Sequence, residues 1–83
     1  MKLYTLDNQY IKQVNLIPLN FTGIIEGSNS TKYWYLNGKC HRLDGPAIEY
    51  PSGTKYWYAY GVWITQEQCE LLHSIMKLNL GYY

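Results

Sequence analysis

The stretch TKYWYLNG (residues 31–38) recurs as TKYWYAYG (residues 54–61), after a shift of 23 residues. Between residues 22–41 and residues 45–64, eight of twenty aligned positions are identical. A repeat period of roughly 20–50 residues indicates a stacked supersecondary unit. Each copy is an aromatic run bounded by turn-forming residues, which is typical of a β-strand. The repeat therefore predicts a small antiparallel sheet built from repeated hairpins.

Turn residues on either side of the aromatic runs fix a register. Residues 37–38 (Asn-Gly) fit a type I′ turn, since both of its central positions need positive φ. Residues 51–53 (Pro-Ser-Gly) suit a type I turn closed by a left-handed glycine. With these turns, the same Glu–Lys pair faces across the strands in both copies. The two predicted pairs are Glu26 with Lys32 and Glu49 with Lys55.

This register sorts the side chains onto two faces, because successive side chains of a strand point to opposite sides. The uncharged face, called here the Ile/Tyr face, would carry Ile25, Tyr33, Tyr35, Ile48, Tyr56 and Tyr58. The other, called the Trp face, would carry Glu26, Lys32, Trp34, Leu36, Glu49, Lys55 and Trp57. We expect the Ile/Tyr face to be the core, because it has no charge. The alternative is that a C-terminal helix covers the Trp face.

The helix is predicted from its cap and its periodicity. Residues 65–68 (Thr-Gln-Glu-Gln) fit a capping box, with Thr65 as the N-cap. An apolar stripe at helical spacing follows, made of Cys69, Leu72, Ile75, Met76 and Leu80. We therefore expect a single α+β domain over residues 1–83, with hairpins over about 3–64 and a C-terminal α-helix over about 66–79.

The N-terminal segment also suggests a hairpin. Residues 3–6 and 10–14 flank Asp7-Asn8, which is a typical turn pair. We interpret this segment as a degenerate copy of the hairpin that TKYWYLNG forms with His-Arg-Leu, followed by a longer loop through residues 18–20. A short helix that begins at Asp7 is the alternative.

Composition limits the classes of partner. The chain has ten Tyr, three Trp and one Phe, with seven Lys and Arg against six Asp and Glu. A net charge of +1 provides no general attraction to nucleic acid or to anionic membranes. No apolar run approaches the ~20 residues that span a bilayer, and MKLYTLDNQY lacks the apolar core of a signal peptide. We expect a cytoplasmic protein with two reduced cysteines and no membrane partner.

Between the two copies lies NGKCHRLDGPAIEYPSGTKYWY (residues 37–58). It resembles a short repeat unit found in proteins of bacteriophages, giant viruses and some bacteria. In these proteins a His-Arg-x-Asp-Gly-Pro-Ala turn alternates with a Gly-x-Lys-x-Trp-Tyr strand, loosely like MORN-type β-repeats. The resemblance covers residues 22–76 and implies a phage or viral accessory protein, but it implies no particular activity.

Two interpretations of the turn at residues 41–46 stay open. Arg42 offers a forked set of donors that suits a phosphate or a carboxylate. It can equally pair with Asp44 in a purely structural turn. Tryptophans near lysines could also stack on bases. The candidate binding residues are Lys32, Trp34, Tyr35, His41, Arg42, Asp44, Lys55, Trp57 and Tyr58.

Catalytic and metal signatures are weak in this sequence. Cys69 and His73 have the i, i+4 spacing of helical metal ligands, but no CxxC or HxxxH pair accompanies them. No nucleophile with an acid–base partner is evident. We therefore expect no enzyme activity, no metal and no cofactor.

The expected function is that of a phage or viral binding protein that occupies or sequesters a host component, with a host protein favoured. One alternative is a binder of nucleotides or single-stranded nucleic acid. The other is a structural β-repeat module that assembles into a homo-oligomer through its edge strands.

Overall fold

The aromatic runs of the repeat both form strands of one antiparallel sheet. The computed structural model describes residues 1–78, and this part of the chain contains eight strands and one helix. The strands are β1 Lys2–Tyr4, β2 Tyr10–Gln13, β3 Gly23–Glu26, β4 Lys32–Leu36, β5 Lys39–Cys40, β6 Ile48–Glu49, β7 Lys55–Ala59 and β8 Val62–Ile64. The helix α1 is Gln66–Leu78. The strand order is β2-β1-β3-β4-β6-β7-β8, with β5 also paired to β4. The α+β prediction is confirmed.

The predicted register is confirmed in both copies. Glu26 faces Lys32 and Glu49 faces Lys55, and Lys32 also faces Glu49 across β4 and β6. The two-residue turns match as well, because both of their central residues have positive φ. These values are 48° for Asn37, 80° for Gly38, 51° for Tyr60 and 84° for Gly61. The repeat in sequence is therefore a repeat in backbone geometry.

A second type of turn occurs three times within residues 1–78. The five-residue turns at residues 27–31 and 50–54 each contain the same two backbone hydrogen bonds. The N–H of the first residue donates to the C=O of the fifth at 2.9 Å, and the N–H of the fourth residue donates to the C=O of the first at 3.0 Å. Residues 5–9 have the same two bonds, at 2.8 and 2.9 Å. The fourth residue has positive φ in each turn: Asn8, Ser30 and Gly53.

The N-terminal hairpin is thus confirmed, but our interpretation of its origin is wrong. The β1–β2 turn copies the turn between β3 and β4 rather than the two-residue turn after TKYWYLNG. A type I turn followed by a left-handed residue differs from a type I′ turn in length and in the φ of its first positions. Residues 14–22 then bring β1, and not β2, beside β3.

The helix packs on the Trp face over β7. The contact centres on a hydrophobic core cluster of three buried residues, Leu43, Ala59 and Cys69. Packed against this cluster are Trp57, Ile64, Leu72 and Met76. On the opposite face, Tyr56 is exposed. The expectation that the Ile/Tyr face is the core is therefore wrong for this half of the sheet. Near the N-terminus both faces are buried: Leu3 faces Ile25 on the Ile/Tyr face, and Ile24 is buried on the Trp face.

The capping box is confirmed at the start of α1. The Gln68 N–H donates to Thr65 Oγ1 at 3.0 Å, and the Thr65 N–H donates to Gln68 Oε1 at 2.9 Å. Cys69, Leu72 and Met76 face the sheet, whereas Ile75 is exposed, so its place in the core stripe is wrong. Ile75 lies six residues after Cys69, which turns it well away from the sheet. Residue 79 and Leu80 lie outside the described residues. No helix within residues 1–78 is long and apolar enough to cross a membrane.

Candidate functional site

Residues 41–47, called here the HRLDGPA loop, interrupt the strand that lies beside β4. The His41 N–H donates to the Trp34 carbonyl at 2.8 Å, and the Trp34 N–H donates to the Ala47 carbonyl at 2.8 Å. Both backbone groups of Trp34 are therefore bonded across the base of the loop. On its other side, the loop donates to β7, from Arg42 to Tyr58 at 3.1 Å and from Ala47 to Tyr56 at 2.9 Å. The loop joins the two aromatic strands.

The His41 side chain accepts a hydrogen bond in the region where the loop joins the two aromatic strands. It is almost fully buried, and its Nδ1 accepts the Tyr60 N–H at 2.8 Å. Its ring also packs on the Tyr60 ring, with centroids 4.1 Å apart. Burial lowers the pKa of His41, because a charged imidazolium is poorly solvated there. The side chain thus fixes the turn between β7 and β8.

The Arg42 guanidinium contacts residues of the loop and of the two neighbouring strands β4 and β6. Its Cζ lies 4.0 Å from the centre of the Trp34 ring, a cation–π contact. Its Nε donates to Asp44 at 2.9 Å. One terminal nitrogen donates to the Pro46 carbonyl at 3.0 Å and to the Glu49 carboxylate at 3.2 Å. Two of the three guanidinium nitrogens are therefore already bonded to groups of the protein itself.

Gly45 completes this arrangement by leaving room for the guanidinium. A Cβ at Gly45 would lie only 2.9 Å from Arg42 Cζ. Since Trp34 covers the other side of that group, the guanidinium has little space to yield. The residues of the HRLDGPA loop therefore form a structural junction between β4 and β7.

Both cysteines support the same loop. The buried Cys69 thiol lies 3.4 Å from each of the carbonyl oxygens of Arg42 and Leu43, to which it donates. The Cys40 thiol donates to the Ala47 carbonyl at 3.8 Å. Burial raises the pKa of Cys69, and it raises the pKa of Cys40 to about 11. Neither thiol is poised as a nucleophile, because the thiolate is disfavoured at both positions.

The nine candidate residues do not converge on one binding site. Trp34, Arg42 and Asp44 come together, but they contact one another. Trp57 lies against the cluster beneath α1. His41 is buried and bonded to the Tyr60 backbone. The other four are divided between faces: Lys32 and Lys55 lie on the Trp face, while Tyr35 and Tyr58 lie on the Ile/Tyr face.

The prominent open surface is on the Ile/Tyr face, opposite α1. Trp63 lies directly across from Tyr58 and is 66% exposed. Tyr56 is also exposed, and its ring meets the Tyr50 ring edge-to-face at 5.9 Å. We call these four residues, Tyr50, Tyr56, Tyr58 and Trp63, the aromatic surface. Sequence reasoning missed Trp63, although a two-residue turn at residues 60–61 would have placed it beside Tyr58.

A cleft of about 590 Å³ lies at the other end of the same face. Its walls come from the turn at residues 27–29 and from Ile17, and the lining side chains carry no charge. Ile25, Tyr33 and Tyr35 line it as well. Burial is the main cause that raises the pKa of Tyr35, which keeps its hydroxyl neutral. The Ile/Tyr face is therefore aromatic at both ends, and its charged groups are at the N-terminal end, where Lys12 lies beside Leu3 and Met1 lines the cleft.

Among residues 1–78, no three potential metal-ligating side chains lie close enough to hold an ion together. No protein-family model, curated protein or solved structure matches the chain. Its function is therefore inferred from the geometry of its own residues.

Proposed function

We propose that this chain is a non-enzymatic binding module that recognises another protein through the aromatic surface. The observation that carries this proposal is the exposure of Trp63 and Tyr56 on the sheet face opposite the helix, where their cross-strand neighbours Tyr58 and Ile48 are uncharged. Tyrosine and tryptophan offer rigid contact area with a polar tip, and they dominate the energetics of protein interfaces. Exposed apolar patches on small soluble domains commonly mark such interfaces.

The polar residues support binding rather than catalysis. His41 accepts a backbone N–H from Tyr60, and Arg42 is bonded to Asp44, Glu49 and the Pro46 carbonyl. These side chains stabilise the sheet that presents the aromatic surface. Catalysis would require these side chains to break their hydrogen bonds within the protein, which would destabilise the link between β4 and β7.

The biological setting of the proposal comes from the resemblance of residues 22–76 to repeats in phage and viral proteins. We propose a virus-encoded protein that acts in the cytoplasm of the host cell. It would occupy or sequester a host protein, including one that serves in host defence. A surface with many aromatic groups and no charge suits a protein partner better than a phosphate-bearing one.

The nucleotide alternative draws less support from the geometry. A stacking platform needs an open ring face and free cations nearby. Arg42 covers Trp34, and Trp57 packs against the core cluster under the helix. Lys32 lies between Glu26 and Glu49.

The test compares capture of host proteins by matched variants. The wild-type chain, the double variant Tyr56→Thr/Trp63→Thr and the control Tyr10→Thr would be immobilised and exposed to bacterial lysate. Tyr10 is an exposed tyrosine of β2 outside the aromatic surface. We expect a specific partner that binds the wild type and the control but is lost from the double variant.

Two results would overturn the proposal. One is capture that the double variant leaves unchanged. The other is the retention of a nucleotide after purification, with quenching of tryptophan fluorescence on its re-addition and an affinity that falls with salt, which would establish the nucleotide alternative.

A further inference from the structure

The cleft on the Ile/Tyr face corresponds to a place that the second copy of the repeat fills with an aromatic ring. The five-residue turns before β4 and β7 have the same two backbone hydrogen bonds, so Gly27 in the first copy corresponds to Tyr50 in the second. The Tyr50 ring meets the Tyr56 ring edge-to-face at 5.9 Å. In the first copy, Gly27 and Tyr33, the counterpart of Tyr56, both line the cleft. Glycine thus stands where the second copy has a phenol ring.

The backbone does not require glycine at position 27. The φ of Gly27 lies outside the positive range that favours glycine. A Cβ at this position would lie 4.0 Å from Tyr33 Cε1 and 3.8 Å from the Thr31 carbonyl oxygen, which are ordinary contact distances. Its nearest neighbour would be Oδ1 of the Asn29 side chain, at 3.3 Å. A side chain at position 27 would therefore begin beside the Tyr33 ring, and glycine leaves that space open.

The lining of the cleft indicates what kind of molecule it suits. Its volume of about 590 Å³ is typical of small-molecule sites, which span roughly 300–1,000 Å³. Tyr33 and Tyr35 make part of the lining aromatic, and every lining side chain is uncharged. Ser28 and Asn29 add hydrogen-bonding groups at the turn. Because Asn29 Oδ1 accepts the Thr31 N–H at 3.2 Å, the amide nitrogen of Asn29 is the group that can donate to a ligand.

We propose that this cleft binds a small uncharged aromatic molecule with hydroxyl or amide substituents, whose ring packs on Tyr33 as the Tyr50 ring packs on Tyr56. Edge-to-face pairs favour ring centres about 4.5–7 Å apart, a range that includes the pair in the second copy. The Met1 ammonium also borders the cleft, but it donates to the Val14 carbonyl at 3.0 Å. The cleft shares no residue with the aromatic surface, so this site goes beyond the proposed protein interface.

The ligand chemistry is tested by NMR titration of the isotope-labelled full chain with p-cresol, which has the ring and hydroxyl of a tyrosine side chain. We expect saturable binding, with shifts centred on the amide signals of Gly27, Ser28 and Tyr33. The saturated analogue methylcyclohexanol should bind at least about tenfold more weakly, because it has no aromatic ring. The anion p-hydroxybenzoate should also bind at least about tenfold more weakly, because its carboxylate would be desolvated against uncharged side chains.

Matched variants test the place of binding. Gly27→Tyr gives the first copy the residue of the second, so it should fill the cleft, weaken p-cresol binding by at least about tenfold and raise the urea midpoint of unfolding. Gly27→Ala adds the Cβ without the ring and should keep binding. Tyr33→Val removes the ring on which the ligand packs and should weaken binding. The control Tyr10→Thr changes an exposed tyrosine outside the cleft and should leave the affinity unchanged.

Several results would overturn the proposal. These are the absence of saturable p-cresol binding, shifts that centre on the aromatic surface instead, and an equal affinity for p-cresol and either analogue. Folded Gly27→Tyr and Tyr33→Val variants that bind p-cresol as the wild type does would also overturn it. The amide spectrum of each variant shows whether it is folded. Since no partner protein is present, the outcome is independent of the capture experiment.

Discussion

Replacing Arg42 with methionine separates the structural interpretation of the HRLDGPA loop from the ligand interpretation. Methionine keeps much of the side-chain length and its packing, but it removes the charge and every donor. In the structure the guanidinium lies over Trp34 and donates to Asp44, Glu49 and the Pro46 carbonyl. If the loop is a structural junction, the variant loses stability even without a ligand.

The size of this loss follows from the individual contacts. Stacking on Trp34 contributes about 1–2 kcal/mol at a partly desolvated site. The charged donor to the Pro46 carbonyl contributes about 1.5–3 kcal/mol. The carboxylate pairs add less than about 1 kcal/mol each, since the Asp44 side chain is 64% exposed. The contacts share one group and do not add fully, so we expect a loss of about 2–4 kcal/mol. A chain of this length has a total stability of about 4–12 kcal/mol.

Urea unfolding followed by far-ultraviolet circular dichroism measures this loss. The matched control is Lys55→Met, which removes an exposed positive charge that also faces Glu49. We expect the control to cost less than about 1 kcal/mol. If Arg42→Met is no less stable than the control, the guanidinium is not needed by the fold. Its fork would then be available to a ligand, and the structural interpretation would be refuted.

Three further predictions concern His41, the thiols and the helix cap. Because burial lowers the pKa of His41 from its ordinary value of 6.5, stability should be complete above that pH and fall as the pH drops below it. Urea midpoints across pH should show this slope, and a slope unchanged in His41→Gln would contradict it. Cys69 and Cys40 should resist a thiol reagent in the folded protein and react once it is unfolded; rapid labelling of the native protein would oppose the assignment. Thr65→Ala should lower the free energy of unfolding by about 1 kcal/mol, and an unchanged urea midpoint would exclude a stabilising cap.

Local sequence signals predicted the register, because its determinants are close together in the chain. The two-residue turn at residues 37–38 and the recurring Glu–Lys pairs each involve neighbours in one hairpin. The capping box of residues 65–68 is equally local. In each case the geometry depends on a few residues that are close together in the sequence.

The roles of the HRLDGPA residues could be predicted only where the partner was near. The Arg42–Asp44 pair spans two positions and was anticipated as an alternative. The acceptor role of His41 depends on Tyr60, nineteen positions away, and nothing in the local sequence marks that pair. The cation–π contact with Trp34 likewise depends on how the loop folds back over β4.

The buried face was mispredicted because a face is not uniform along its strands. On the Trp face, charge is concentrated where the long strands begin, at Lys32 and Lys55. The apolar residues that meet α1 lie farther along, at Trp57 and Ala59. A prediction based on the charges of the whole Trp face therefore overlooks its apolar part, which α1 covers.

The connection between β8 and α1 decides which environment is covered. Ile64 faces Trp57 and is followed at once by the N-cap Thr65, so the helix returns over the side on which Ile64 lies. Trp63, one position earlier, points to the other side and remains exposed. The same step that buries the Trp face under α1 thus leaves the aromatic surface open. The immediate start of the helix after β8 is therefore the sequence feature that leaves the aromatic surface uncovered.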